Sequence, residues 1–462
     1  MSLISNWIDD DPGGLHGRIA GHVAVPGDTD WDQQRAAWNL AADQHPVAVA
    51  LPESSDDVIA IVEFARERGL RVAAQGTGHN ATAIASLADT ILVKTSRMRG
   101  VQIDPDTRIA RVEAGALWID VTGPASEHGL APLAGSSPDV GVVGYTLGGG
   151  LSWLGRKHGL ACNSVTAIEI VTADGRLRRV DAETESELFW ALRGGGGNFG
   201  VVCAMEFELH PVPELYAGIL AWPWERAGEV LRAWREWVQD VPDEVTSDAR
   251  ILQVPPLPDI PEVFRGRRLV LVEAAYLGDE TSGAELIAPL RDLGPEIDTF
   301  APAPPVALSF LHNDPDHPVP GVGDHMMLGE LPAEAIDGLV RAGGPGSYSP
   351  LLSLELRHLG GALSRREPGH GALPRLEGAF SLFGVGMAMT PEMAGALRAH
   401  FPVIRKAMDP WVAGREYLSF VEHPVDTACA YDELSYRRLR DVKAKYDPSD
   451  VFCANHAIAP AD

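Results

Sequence analysis

Gln75-Gly76-Thr77-Gly78-His79-Asn80-Ala81 and Gly141-Val142-Val143-Gly144-Tyr145-Thr146-Leu147-Gly148-Gly149-Gly150 are the two stretches around which the chain is organised. Glycine admits positive φ and lets a main chain approach a flat or phosphorylated ligand with no Cβ in the way. Loops of this kind offer bare N–H groups to anions. The first loop follows the β-rich run Leu70-Arg71-Val72-Ala73-Ala74, so a strand leading into a glycine turn is expected. Its G-x-G-x-x-A spacing also fits a dinucleotide fingerprint, which requires a full helix next. Here only Thr82 to Asp89 precede the next strand, Thr90-Ile91-Leu92-Val93-Lys94, and a crossover helix does not fit.

Outward from the loops the pattern is of short helices among hairpins. Ser54-Ser55-Asp56-Asp57 caps a helix whose apolar residues Val58, Ile61, Val62, Phe64 and Ala65 recur at helical spacing, closed by Gly69. Hairpins are expected for 100–103 with 109–112, turned by Asp104-Pro105-Asp106-Thr107, and for 165–171 with 177–180 across Ala173-Asp174-Gly175. Helices are expected over 31–43 and 117–128, and from Thr184 into the run Gly194-Gly195-Gly196-Gly197. This mixture is α+β.

Around Pro211-Val212-Pro213 the character changes. Strands at about 215–222, 246–254, 268–277, 350–358 and 377–388 alternate with amphipathic helices at about 225–239, 280–293, 330–342 and 391–407. Between them 301–323, rich in Pro, His and Asp, reads as a long mobile loop. In the strand Ser381 to Ala388, alternation puts Gly384, Gly386 and Ala388 on one nearly bare face, and if that face looks towards a bound ligand the pocket is roomy and apolar.

With 462 residues the chain exceeds what one core usually supports, so two domains are expected. A formal charge of −26 argues against nucleic-acid and anionic-membrane partners, whose binding faces must be basic. Cys162, Cys203, Cys429 and Cys453 lie far apart with no C-x-x-C pair, so neither a metal site nor a disulfide framework is indicated. The stretch Met1 to Asp11 has no basic n-region, and no apolar run is long enough to span a bilayer, so a cytoplasmic protein is the default reading.

Taken together, several pieces resemble the vanillyl-alcohol-oxidase superfamily with its PCMH-type FAD domain, in the berberine-bridge-enzyme-like branch that includes the bacterial 6-hydroxynicotine oxidases. They are Gly76-x-Gly78-His79-Asn80; Gly148 to Gly150 with Arg156-Lys157-His158-Gly159-Leu160-Ala161-x-Asn163; Glu187-Leu188-Phe189-Trp190-Ala191-Leu192-Arg193 running into Gly194 to Val202; and Val442-Lys443-x-Lys445-Tyr446-Asp447-Pro448-x-x-Val451-Phe452. The resemblance implies a two-domain α+β fold. An FAD-binding domain over 1–211, core about 45–211, is followed by a substrate domain over 212–415, a large antiparallel sheet backed by helices. Residues 416–462 return to the FAD domain.

The resemblance also implies roles. His79 stands where the family bonds a histidine to the flavin 8α carbon, chemistry that needs a neutral imidazole. The second attachment point of many members, a cysteine, falls on Ser137, so a single covalent link is expected. Gly76, Thr77, Gly78, Asn80 and Ala81 would cradle the pyrophosphate. Gly135, Ser136, Ser137, Gly141, Gly144 and Thr146 would line the second side, with Val201 at the adenine or ribose end and Asn455 near the pyrimidine edge. The tyrosine that plant relatives use as a base has become Phe420, and a phenyl ring accepts no proton. Tyr417, Glu422 and Tyr431 are the polar candidates nearby, and Glu355, Arg357 and His358 lie on a substrate-domain strand.

The function expected is an FAD-dependent oxidase of a small molecule, passing hydride from a C–H bond α to nitrogen or oxygen to flavin N5, with O2 reoxidising the flavin to give H2O2. The protein is expected to be a monomer or homodimer with no metal. A dehydrogenase or oxidative cyclase with another acceptor, and a flavin-binding protein without catalysis, are the alternatives.

Overall fold

The computed structural model describes residues 14–461 apart from 85, 259 and 261, so the Met1 to Asp11 stretch read for a signal peptide lies outside the described residues. Three large sheets, besides a two-stranded pair of Leu130–Ala131 with His210–Pro211, organise the described residues. The first has strands His22–Ala24, Ala48–Leu51, Thr90–Lys94 and Arg71–Gln75 in that order, the last three parallel. The helix Ser55–Arg68 joins two of them; the Ser54 hydroxyl accepts from Asp57 N at 3.3 Å and Gly69 closes it at φ 64. The second sheet is antiparallel, Val101–Asp104, Ile109–Glu113, Val201–Glu208, Val165–Val171, Leu177–Asp181, and contains both hairpins expected from the sequence.

The third sheet runs Ile297–Asp298, Tyr216–Pro223, Arg268–Tyr276, Val245–Gln253, Ser353–His358, Phe380–Met387, Gly321–Leu328, with Ala301–Pro302 also paired to Tyr216–Pro223. Helices Ala227–Trp237, Glu280–Arg291, Ala333–Gly343 and Pro391–Met408 cover one face. Trp222, Trp234, Leu354, Leu356, Leu382, Leu397 and Phe401 fill the space between. Strict alternation then sends Asp248, Arg250, Glu273, Glu355, Arg357 and Phe383 to the opposite face.

The structure corrects three expectations. A Cβ on Gly386 would lie 2.1 Å from Leu397 Cδ2, and one on Gly384 3.4 Å from Leu354 and Leu351, so the bare glycine face packs beneath the helices instead of facing the ligand. The segment 301–323 is anchored: it carries a short strand, the turn Leu308–Leu311 and the buried His312, and it runs into the edge strand Gly321–Leu328. Few β-branched residues mark that strand, so propensity alone gave no signal for it. The helix expected over 31–43 stops at Arg35, and Trp38 and Asn39 dock instead on the first glycine loop.

The last helix, Glu433–Tyr446, packs Leu439, Val442 and Tyr446 into one core with Trp118, Val142 and Leu188. Val451 and Phe452 join Val72 and Val201 in another, which carries the C-terminus back to the first sheet.

Candidate active site

At the end of strand Arg71–Gln75, Gly78 sits at φ +90, and a Cβ there would lie 2.9 Å from both Ala37 Cβ and Gln75 Nε2, so only glycine fits. Trp38 N–H donates to Thr77 O at 2.9 Å and Asn39 N–H to Gly78 O at 3.3 Å. The second loop touches the first: a Cβ on Gly141 would be 3.7 Å from Thr77 Cγ2. The Trp38 indole stacks on the His79 ring, centroids 3.9 Å apart at 22°. His79 Nε2 lies 3.4 Å from Asp139 Oδ1. Ser137 Oγ donates to Asp139 Oδ1 at 2.8 Å and Trp38 Nε1 to Oδ2 at 2.5 Å. Burial opposes the Asp139 charge, yet His79, Ser137 and Trp38 outweigh it and hold the carboxyl below its usual range.

The other residues named for the cradle lie around the two loops. Ala81 N–H donates to Gly78 O, Asn80 Nδ2 to Leu418 O at 3.3 Å, and Asn455 Nδ2 to Asn80 O at 2.7 Å. A Cβ on Gly144 would meet nothing within 4 Å, while Gly135 packs against the Tyr145 ring. Val201 is fully buried at the start of its strand, its side chain in the core behind the first loop. Gln75 Nε2, His79 Nε2, Asn80 Oδ1, Thr82 Oγ1 and Thr146 Oγ1 are buried without a hydrogen-bond partner. Buried polar groups are ordinarily bonded, so this cluster around bare glycine turns fits a large, polar, phosphate-bearing ligand such as FAD.

Across the 136–139 segment lies a narrow cleft lined by Ser136, Trp153, Thr246, Asp248, Arg357 and His358. Ser136 Oγ donates to Asp314 Oδ2 at 2.9 Å, which pins the 301–323 segment beside it. The cleft floor is the polar sheet face. Glu273, Asp248 and Arg357 stand side by side on neighbouring strands, with Arg250 and Glu355 in the next row. His312 reaches in from the anchored segment, its Nδ1 2.6 Å from Glu273 Oε2 and its Nε2 2.9 Å from Glu355 Oε2. Arg250 pairs with Glu273, and Arg357 with Glu355.

In this array burial and Arg250 oppose the His312 charge, but Glu273, Asp314 and Glu355 prevail and hold it up at about 10. Asp248 has no such support. Its Oδ2 is buried and unbonded, 3.8 Å from Arg357 Nε and 3.9 Å from His312 Nδ1. Burial, helped by Glu355 and Glu273 against Arg357 and His312, pushes its carboxyl up to about 7. Asp248, Glu273 and His312 bring possible ligand atoms within 4.8 Å of one another, but Arg250 and Arg357 already supply the positive charge that an ion would bring.

The candidate bases differ in their surroundings. Tyr431 donates its hydroxyl to Gly194 O at 2.7 Å and stacks on Tyr436, a tie that holds the glycine run and takes it out of proton transfer. Tyr417 is buried against Gly149, which sits at φ +122, and burial pushes its phenol up to about 12. Glu422 accepts from Gly323 N at 2.7 Å at the edge of the sheet, and burial lifts its carboxyl to about 7. Phe420 lies between Tyr417 and Phe383, with the Arg357 guanidinium 5.2 Å from its ring centre. Cys162 is core, pushed up to about 12 by burial. Trp38, Asp139, Asp248 and His312 were not singled out from sequence, since each becomes notable only through a partner distant along the chain.

Comparison with known proteins agrees with this geometry. Residues 46–181 match the family model of an FAD binding domain and residues 430–459 that of berberine and berberine-like proteins. The chain is 28% identical over 468 residues to an uncharacterized FAD-linked oxidoreductase of Bacillus subtilis, covering 96% of this chain and 99% of that protein. It is 34% identical over 205 residues to (R)-6-hydroxynicotine oxidase of Paenarthrobacter nicotinovorans, 44% of this chain and 45% of that one. The solved structure of 6-hydroxy-D-nicotine oxidase from Arthrobacter nicotinovorans superposes with a TM-score of 0.81 at 25% identity, covering 96% of this chain and 98% of that one. The chain is thus an FAD-linked oxidoreductase with the α+β two-domain fold of that class. Within the class its C-terminal family-model match and its full-length fold liken it to the berberine-bridge-enzyme-like proteins.

Proposed function

We propose that this protein is an oxidase of a small organic molecule that carries a C–H bond α to nitrogen or oxygen. FAD, if held at the two loops, would supply the hydride acceptor, N5 of its ring, with O2 as the final oxidant giving H2O2. The observation that carries the reading is the unbonded polar cluster of the glycine cradle lying next to a closed cleft with a charged floor. We assign the cradle to Gly76, Thr77, Gly78, Asn80, Ala81, Gly135, Ser136, Gly141, Gly144, Thr146 and Asn455, with Val201 packing behind it. His79 is the single covalent anchor, because Ser137 offers a hydroxyl already bonded to Asp139. The division of labour follows the sheets: residues up to 211 and from 416 onward hold the cofactor, and 212–415 hold the substrate.

Asp248 is the group that takes the substrate's O–H or N–H proton as the C–H bond breaks. A base titrating near the working pH is the most effective, and Asp248 at about 7 meets this where Tyr417 at about 12 does not. Arg357 and His312 steady the charge that Asp248 gains or loses. The likeness to a hydroxynicotine oxidase makes cyclic amines the first substrates to try. The test is a panel of cyclic amines, secondary alcohols and oligosaccharides, followed by anaerobic bleaching of the flavin and by H2O2 in air. Bleaching with H2O2 is expected for at least one member. Bleaching without reoxidation by air identifies a dehydrogenase, and no bleaching at all a flavin-binding protein without turnover.

A further inference from the structure

We propose that Asp139 is the positioning residue for covalent flavin attachment: clamped by Trp38 and Ser137, it orients the His79 ring and stabilises the positive charge that ring gains as its nitrogen is alkylated. The inference rests on the His79 linkage proposed above. Both carboxylate oxygens of Asp139 are held, one by Ser137 Oγ at 2.8 Å and the other by Trp38 Nε1 at 2.5 Å, so the group cannot turn away. Trp38 also covers the flat face of His79, at 3.9 Å between centroids, which fixes the ring plane. In that plane Nε2 faces Asp139 Oδ1 at 3.4 Å and has no other partner. An anion beside Nε2 favours the tautomer with the proton on Nε2, and Nδ1 then presents a lone pair. Catalytic contacts of this length commonly tighten when the reacting partner is bound.

The step balances. The Nδ1 lone pair would form the N–C bond at the flavin 8α carbon, Asp139 would offset the imidazolium charge until its N–H proton leaves to solvent, and a methyl hydrogen would leave as a second proton to solvent. The ring system takes up the electron pair, and dioxygen removes it with two protons as H2O2. If Asp139 served only to hold Trp38, an isosteric amide would do the same work, since an amide oxygen also accepts from Trp38 Nε1.

The test uses full-length protein produced under riboflavin limitation, then given FAD in air. Total bound flavin is read by absorbance, and attached flavin by fluorescence of the acid-precipitated protein. Wild type is expected to become fully labelled and His79→Ala to bind FAD without retaining it. Asp139→Asn should bind FAD yet attach it at least ~10²-fold more slowly, the lower range for loss of one group that stabilises developing charge. Asp139→Glu should recover part of the rate, which a packing role would not restore. Attachment by Asp139→Asn at the wild-type rate overturns the inference, as does loss of bound FAD in Asp139→Asn while His79→Ala still holds it. Wild type without attached flavin, or His79→Ala that keeps it, overturns the linkage itself and is distinct from either Asp139 result.

Discussion

Arg357 links Asp248 and Phe420: its Nε lies 3.8 Å from Asp248 Oδ2 and its guanidinium 5.2 Å from the Phe420 ring centre. Where a phenol would take a proton, Phe420 instead packs under Arg357, and on the cleft side of that same Arg357 stands the unbonded carboxylate oxygen of Asp248. Asp248→Asn should therefore lower the rate of flavin reduction ~10²–10⁴-fold, while Tyr417→Phe and Glu422→Gln change it less than about tenfold. Because the reaction needs the ionised form, the wild-type rate should rise with pH through about 7 and then level, and this step should vanish in Asp248→Asn. Burial sets its position first, then Arg357, Glu355, His312 and Glu273, so the step moves if any of these four is neutralised. The sign for stability is opposite. The folded value lies above that of an ordinary carboxyl, so the contribution of Asp248 to stability is complete below about pH 4 and is lost as pH rises through about 7. A rate independent of pH from 5 to 9 would remove Asp248 from the chemistry. His79 was legible in the sequence because the loop that presents it is contiguous. Asp248, Arg357 and His312 were not, since they meet only once three strands and a connecting segment take their register.

At the scale of elements, periodicity located the helices and central strands of the large sheet to within a few residues, but it could not say which face of a strand looks where. Phe380–Met387 shows why. Its two faces read as glycine-rich and apolar, and either would suit a ligand pocket or a helix interface. The helix Pro391–Met408 settles the matter by pressing Leu397 and Phe401 into the notch left by Gly384 and Gly386. A side chain at 386 must displace Leu397, so Gly386→Val should cost ~1–3 kcal/mol of stability through overpacking. Phe383, on the opposite face, packs on Phe420, whose ring lies beside Arg357 of the cleft lining. Phe383→Ala should widen the cleft and shift KM among substrates of different bulk. Gly386→Val that alters substrate choice with an unchanged melting temperature would show that the faces have been assigned the wrong way round.

At the scale of the whole molecule, the cofactor cradle is closed by the end of the chain. Lys443 is fully buried and donates to Asp447 Oδ2 at 2.5 Å, Asn198 O at 2.9 Å and Phe452 O at 3.3 Å. Asp447 in turn accepts from Val451 N at 2.8 Å and Phe452 N at 2.9 Å. This knot sets the segment that pairs with Val72, in the strand leading into Gly76, and places Asn455 against Asn80 O. Breaking a buried ion pair typically costs up to ~3–5 kcal/mol, and without Asp447 the buried Lys443 would keep only the half-exposed Asp450, 3.0 Å from its Nζ, as a carboxylate partner. Asp447→Ala should thus melt well below wild type and release its FAD more readily if the flavin is first left unattached by His79→Ala. Asn455→Ala in the same background should weaken FAD retention while hardly changing the melting temperature of the flavin-free protein, because it removes a contact to the cradle and leaves the knot intact. Ligand binding stabilises only the state that binds it, so added FAD should raise the melting temperature of Asn455→Ala less than that of its parent. Equal rises in the two would mean that the C-terminal segment supports the fold and takes no part in holding the cofactor.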